Sequence, residues 1–195
     1  MPSRRVSARD LALIATFAAL IAVLGLPGTL TVLGTAVPIT LQTLGVMLAG
    51  SLLGARRGAL AVVVFLALTA AGLPLLAGGR GGLAAVFVGP GAGYRLGWIV
   101  GAFVIGAMVS RRLPSYPVWW GALANVVGGI LVIYAIGIPV MAYVTGTSPA
   151  AAALAGAVFI PGDVIKVVIA TTVAAAVHRA VPDLAPSKPR VRAEV

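Results

Sequence analysis

The run Phe159-Ile160-Pro161-Gly162-Asp163-Val164-Ile165-Lys166-Val167-Val168 decides how this chain is read. It lies in an apolar segment from about Ala150 to Val177, which Asp163 and Lys166 interrupt with opposite charges. An ionised side chain at mid-bilayer costs roughly 2.5–3.5 kcal/mol on insertion scales, so charges at that depth mark function by default. Three residues apart on a helix, the two share a face. Pro161-Gly162 just before them loosens the helix and frees carbonyl groups. The plainer alternative is a self-satisfied pair that only holds helices together.

Working outward, nearly every other break between Leu11 and Arg179 is an arginine pair or a Pro/Gly loop. Of the 195 residues 61% are hydrophobic and 9% charged. Soluble domains carry about 25% charged residues, so the composition describes an integral membrane protein. The length suits one domain, residues 1–195, built as an all-α bundle of about six spans of roughly 20 residues each. It leaves no room for a separate soluble catalytic domain. Cysteine is absent and His178 is the one histidine, so neither disulfides nor a thiolate or histidine metal site is expected. The net charge of +10 would suggest nucleic acid in a soluble protein. Here it reads as membrane topology, with no nucleic-acid partner.

The expected helices are Leu11–Leu26, Ile39–Gly54, Gly58–Ala71, Tyr94–Ser110, Val118–Ile138 (extending as far as Tyr143) and Pro149–Val177. Residues 10–178 form the bundle, and 1–9 and 179–195 are tails. The basic N-terminus lacks a convincing small-residue cleavage site, so the first helix is expected to be retained. With both termini cytoplasmic, the inner segments hold Arg4, Arg5, Arg9, Arg56, Arg57, Arg111, Arg112, Arg179, Lys188, Arg190 and Arg192. The outer side holds Arg80, with Arg95 just inside the fourth helix. That asymmetry satisfies the positive-inside rule for six spans, and Trp119 and Trp120 fall at the inner interface.

Several motifs carry polar chemistry. Gly72-Leu73-Pro74 through Gly78-Gly79-Arg80-Gly81-Gly82 surrounds an arginine with glycines. Backbone of that kind adopts positive φ and can turn free N–H groups on an anion, to which Arg80 adds a forked donor. A flexible connector is the alternative. Gly89-Pro90-Gly91-Ala92-Gly93-Tyr94-Arg95 opens a helix, whose unpaired N–H groups favour anions. Gln42 and Asn125 place amides at comparable depth, each more often interhelical glue than ligand contact. Ala15, Ala19 and Ala22 mark a stripe for close helix packing, and Gly93, Gly97 and Gly101 a second one expected to pack inside the bundle. His178 reads as interfacial. The polar groups fall towards the outer half and suggest a pocket for a small, mainly apolar molecule with an anionic end and a hydrogen-bonding end. No paired catalytic set is present, so an enzyme is not expected.

Val37-Pro38-Ile39-Thr40-Leu41-Gln42-Thr43-Leu44, the two glycine blocks and Pro161-Gly162-Asp163-x-x-Lys166 together resemble the signature blocks of the BioY family, in order over about residues 10–178. BioY proteins are the biotin-binding S components of energy-coupling factor (ECF) transporters. Ala92 departs slightly from the pattern. The resemblance implies six helices, a substrate pocket near the extracellular side, and partners comprising a transmembrane coupling subunit and two ABC-type ATPases. ATP would then be used by those partners, and the chain itself would need no cofactor. It also implies a multi-pass protein of the prokaryotic plasma membrane, with Ala15, Ala19 and Ala22 facing the coupling subunit. The substrate-binding set is then Gln42, Gly79, Gly82, Arg80, Tyr94, Arg95, Asn125, Asp163 and Lys166. Asp163 would accept from the ureido N–H groups of biotin, and Arg80, Arg95 or Lys166 would meet its carboxylate. The rivals are a solitary secondary biotin transporter, an S component for another vitamin or small carboxylate, and a structural membrane subunit.

Overall fold

The computed structural model describes residues 7–27 and 40–181. The loop expected at Thr29–Pro38, the start of the second helix at Ile39, and most of both tails lie outside the described residues. The described residues form helices α1 (Ala8–Val23), α2 (Gln42–Leu53), α3 (Ala55–Ala70), α4 (Leu83–Phe87), α5 (Ala92–Ser110), α6 (Val118–Val126), α7 (Ile133–Thr145), α8 (Pro149–Ala157) and α9 (Ile160–Ala180). A π-helical stretch, Val127–Val132, joins α6 to α7 without a break. No strand occurs among these residues. Among the described residues three stretches are long and apolar enough to cross a membrane: Ala92–Ser110, Val118–Thr145 and Ile160–Ala180.

α2 is the centre of the bundle. Every residue in it except Thr43 is buried, as expected of a helix that is apolar all round. It packs on α1, α3, α5 and α9. The α5 glycine stripe works inside the bundle, as the sequence suggests. A Cβ on Gly97 would stand 3.1 Å from the Ile133 backbone, and one on Gly101 2.6 Å from the Gly128 carbonyl. Close approach of the long helix Val118–Thr145 therefore requires glycine at these positions.

Several sequence expectations need correction. α1 starts at Ala8, earlier than Leu11, because Ser7 and Asp10 form a reciprocal cap. Arg56-Arg57 does not interrupt the chain for long. Gly54 alone turns between α2 and α3 at φ 78°, and both arginines lie in the first turn of α3. Of the two ends expected for the fifth helix, Ile138 and Tyr143, the later is nearer, since the helix runs through Pro139 to Thr145. Membrane helices tolerate an internal proline because neighbours satisfy the freed backbone. The segment read as one helix from Pro149 is two, broken at Val158-Phe159, so that Asp163 falls in the first turn of α9. The glycine-rich stretch contains the short helix α4.

The two ends of the bundle differ. At one end Arg57 pairs with Asp10 at 3.1 Å, His178 Nε2 meets the Ser51 carbonyl at 2.9 Å, and Arg112 lies over the Trp120 ring. At the other end Gln42 is wholly buried. Its amide donates to the Ile21 and Leu75 carbonyls, and its carbonyl accepts from the Ala77 N–H. One side chain thus fastens α1, α2 and the glycine-rich loop. Replacing Gln42 with leucine leaves those backbone groups unpaired. It should lower stability by about 1–3 kcal/mol in detergent unfolding, whereas wild-type stability in that variant would contradict this role.

Candidate functional site

A cavity opens at the end of the bundle opposite the Arg57–Asp10 pair. Its lining includes Thr40 and Thr43 at the start of α2, Tyr94 and Trp98 of α5, Gly129 of the π-helical stretch, Ile133 and Tyr134 of α7, and Phe159, Asp163 and Lys166 at the α8–α9 junction. The break at Val158-Phe159 starts α9 at the cavity, so Asp163 stands in its first turn, where the helix dipole favours negative charge. Lys166 follows one turn later. A π-helical stretch holds an extra residue per turn and re-aims the side chains after it, a device found mostly at functional sites. Here it delivers Ile133 and Tyr134 to the wall.

The polar centre is fully connected. Lys166 Nζ lies 2.9 Å from Asp163 Oδ1 and donates to Thr43 Oγ1 at 2.9 Å. The Tyr134 hydroxyl donates to Asp163 Oδ2 at 2.6 Å, the short length typical of a charge-assisted bond. Asp163 is 4% exposed and Lys166 5%. Around them the wall is aromatic. Tyr94 meets Tyr134 edge-on at 5.7 Å and Phe159 edge-on at 6.4 Å. Gly137 leaves room for the Tyr94 ring, since a Cβ there would come within 2.5 Å of it. A charged, hydrogen-bonding floor within apolar walls suits a small ligand with a compact polar head.

Of the residues expected from sequence, the structure brings Tyr94, Asp163 and Lys166 together on this cavity. The others are not among its lining residues. Gln42 is engaged in the loop anchorage described above. Asn125 lies towards the arginine-rich end rather than at the depth of Gln42. It accepts from Ser51 Oγ and donates to Thr171 Oγ1 and the Gly121 carbonyl, which makes it interhelical glue. The loop backbone is less free than its glycines suggest. Leu76 and Arg80 exchange N–H···O bonds around the tight turn at Gly78-Gly79, where both φ angles are positive, and the Gly82 N–H is held by the Thr69 carbonyl at 2.7 Å. Arg80 is exposed, its Nε on the Ala77 carbonyl. Arg95 is buried, donating to the Val86 and Val88 carbonyls. Neither guanidinium group has a carboxylate partner among the described residues. His178 is not interfacial but buried, stacked on Tyr116 at 4.8 Å, because α9 stays packed on α2 and α6 to its last turn.

Sequence reasoning missed Tyr134, Thr43, Thr40, Trp98 and Phe159 as site residues. A signal existed for Tyr134, a phenol deep in an apolar helix rather than at the interface where tyrosines collect. Trp98 and Phe159 carry none, since an aromatic residue reads equally as core or lipid-facing.

This arrangement defines a helical membrane protein with a mainly apolar pocket at one end whose floor carries a buried ion pair. The BioY family model matches residues 1–183, and the chain belongs to that family. It is 50% identical over 177 residues to the biotin transporter BioY of Rhizobium etli, covering 88% of this chain and 94% of that one. It is 42% identical over 171 residues to a probable biotin transporter of Bacillus subtilis, covering 88% and 91%. Its fold matches the crystal structure of the S-component for biotin from an ECF-type ABC transporter with a TM-score of 0.83 at 30% identity, over 92% of this chain and 95% of that one.

The pair makes each partner dependent on the other. Lys166→Met leaves Asp163 as an unmatched buried carboxylate and should cost about 3–5 kcal/mol, read as a lower detergent melting temperature. A Lys166→Met protein as stable as wild type would show that the two charges do not support each other.

Proposed function

We propose that the chain is the biotin-binding membrane subunit, the S component, of an ATP-driven ECF-type uptake transporter. The observation that carries this reading is the Asp163–Lys166–Tyr134–Thr43 network on the floor of an aromatic-walled cavity. Biotin has a ureido head with two N–H donors and one carbonyl, a fused apolar ring system, and a carboxylate on a flexible chain. Asp163 takes the N–H donors, Lys166 serves the carbonyl, and Tyr94, Trp98 and Phe159 enclose the rings. The carboxylate extends towards the rim, where Arg80, with Arg95 behind it, supplies positive charge. Gly79 and Gly82 shape the loop that carries Arg80, and Gln42 and Asn125 support the frame. The names of the relatives support biotin as the ligand.

The chain crosses the membrane six times, through α1, α2, α3, α5, the continuous helix Val118–Thr145, and α8 with α9. Both termini are cytoplasmic, which puts the arginine-rich end inside and the cavity outside. The protein resides in a prokaryotic plasma membrane. It needs no cofactor of its own, since ATP is used by partner ATPases acting through a transmembrane coupling subunit. α1 offers that subunit a flat surface, because Ala15 and Ala19 are exposed and Ala22 half-buried, and small side chains let a second helix approach closely. Biotin is captured outside and released inside when the docked subunit reorients.

The purified chain should bind biotin at about one molecule per chain by calorimetry, and Asp163→Asn should weaken binding at least tenfold, the loss of one charge-assisted hydrogen bond. A folded wild type that ignores biotin would sink this function. Unchanged affinity in Asp163→Asn would remove Asp163 from the ureido contact.

A further inference from the structure

The direction of each hydrogen bond in the network is fixed, and with it what each neighbouring hydroxyl can offer a ligand. A phenol beside a carboxylate gives its proton to the carboxylate. The single proton of Tyr134 is therefore committed to Asp163 Oδ2, 2.6 Å away, and towards the cavity the Tyr134 oxygen can only accept. Thr43 is the reverse. Its oxygen already accepts from Lys166 Nζ at 2.9 Å, and an ammonium cannot accept in return. The hydroxyl proton of Thr43 has no acceptor among the described residues, so towards the cavity Thr43 is a donor. Both residues line the same cavity as the ion pair.

We infer that Tyr134 and Thr43 are specificity-determining residues for the ligand head, Tyr134 as an obligate acceptor for one ligand N–H and Thr43 as an obligate donor to the ligand carbonyl. The ion pair polarises them in opposite senses. The floor then offers acceptors at Asp163 and Tyr134 and donors at Lys166 and Thr43. This is the complement of a planar head with N–H groups flanking a C=O. A cyclic ester or a cyclic carbonate of the same shape lacks the donors and leaves the Asp163 and Tyr134 oxygens facing oxygen. Sites built around buried hydrogen-bonding groups reject isosteres that leave those groups unpaired more strongly than apolar pockets reject a change of size. The delivery of Tyr134 by the π-helical stretch gives that stretch a purpose, because it turns α7 so that the phenol reaches α9.

This inference rests on the biotin reading, and one experiment separates the two. Calorimetry on the full chain compares biotin with three analogues: the two cyclic carbamates in which one or other ureido N–H is replaced by oxygen, and the thiocarbonyl form, whose sulfur is a poorer acceptor. Wild type should bind biotin best. In Tyr134→Phe biotin should weaken about tenfold, while one of the two carbamates loses little further, so that its penalty relative to biotin disappears. In Thr43→Val the penalty of the thiocarbonyl analogue should shrink instead, the remainder being the contact of Lys166 with the same atom. Melting curves establish that both variants are folded, and Tyr134→Phe keeps the ring and its contact with Tyr94. If Tyr134→Phe weakens biotin and both carbamates by one common factor, Tyr134 only orients Asp163 or fills space, and the inference fails while the biotin reading stands. If Thr43→Val leaves the thiocarbonyl penalty intact, Thr43 is no donor and its half of the inference fails. If folded wild type binds none of the four compounds, the biotin reading itself fails and this inference falls with it.

Discussion

Everything at the cavity end of this bundle depends on one buried ion pair. Two charges taken out of water are stabilised only if they meet at good geometry and their remaining hydrogen-bonding capacity is used. Asp163 and Lys166 meet at 2.9 Å, and each finds a second partner on a different helix, Tyr134 on α7 and Thr43 on α2. Three elements are thereby tied at a single point. The break between α8 and α9 sets the depth of Asp163, the π-helical stretch sets the rotation of Tyr134, and the start of α2 sets the position of Thr43. Such a network is a weak route to stability, since apolar residues of similar volume often serve as well or better. Its retention in an apolar protein is better explained by what it offers a ligand.

The remaining polar residues divide the labour. Gln42 and Asn125 are fully engaged with backbone and hydroxyl groups at different depths, so each fastens helices rather than serving a ligand. Buried polar networks of this sort rigidify when every member is satisfied. They hold α2, the most buried helix, against α1, α6, α9 and the glycine-rich loop. A fixed frame keeps the aromatic wall of Tyr94, Tyr134 and Phe159 in place around the ion pair. Arg80 and Arg95, by contrast, have no carboxylate partner among the described residues.

Much of this was legible in the sequence, for identifiable reasons. A charged pair three apart in an apolar run has almost no other reading than a shared helix face. The arginine clusters mark one end of the bundle, because charge is the costliest thing to place in lipid. The glycine stripe of α5 announced close packing. The errors came where local rules were overridden by tertiary contacts. Arg56 and Arg57 looked like a loop but lie in the first turn of α3, since one glycine suffices for the turn and Asp10 of α1 receives Arg57. Pro139 left two helix ends open in the sequence, and the packed neighbours of α7 absorb it, so the helix continues. Gln42 and Asn125 could not be sorted into ligand contact or glue, because an amide looks the same in sequence whichever backbone groups it meets. Tyr134 escaped because no linear spacing connects it to Asp163. The contact exists only once the π-helical stretch has turned the helix.

The most direct test of the account is the thermal unfolding of the Asp163→Leu, Lys166→Met double variant with and without biotin. Removing both charges together leaves no unmatched ion, so a pair kept for ligand recognition predicts a melting temperature near or above that of wild type without biotin, and no rise when biotin is added, whereas wild type rises. A double variant that melts far below wild type would show that the pair is structural. One that still gains stability from biotin would show that the ligand is held elsewhere.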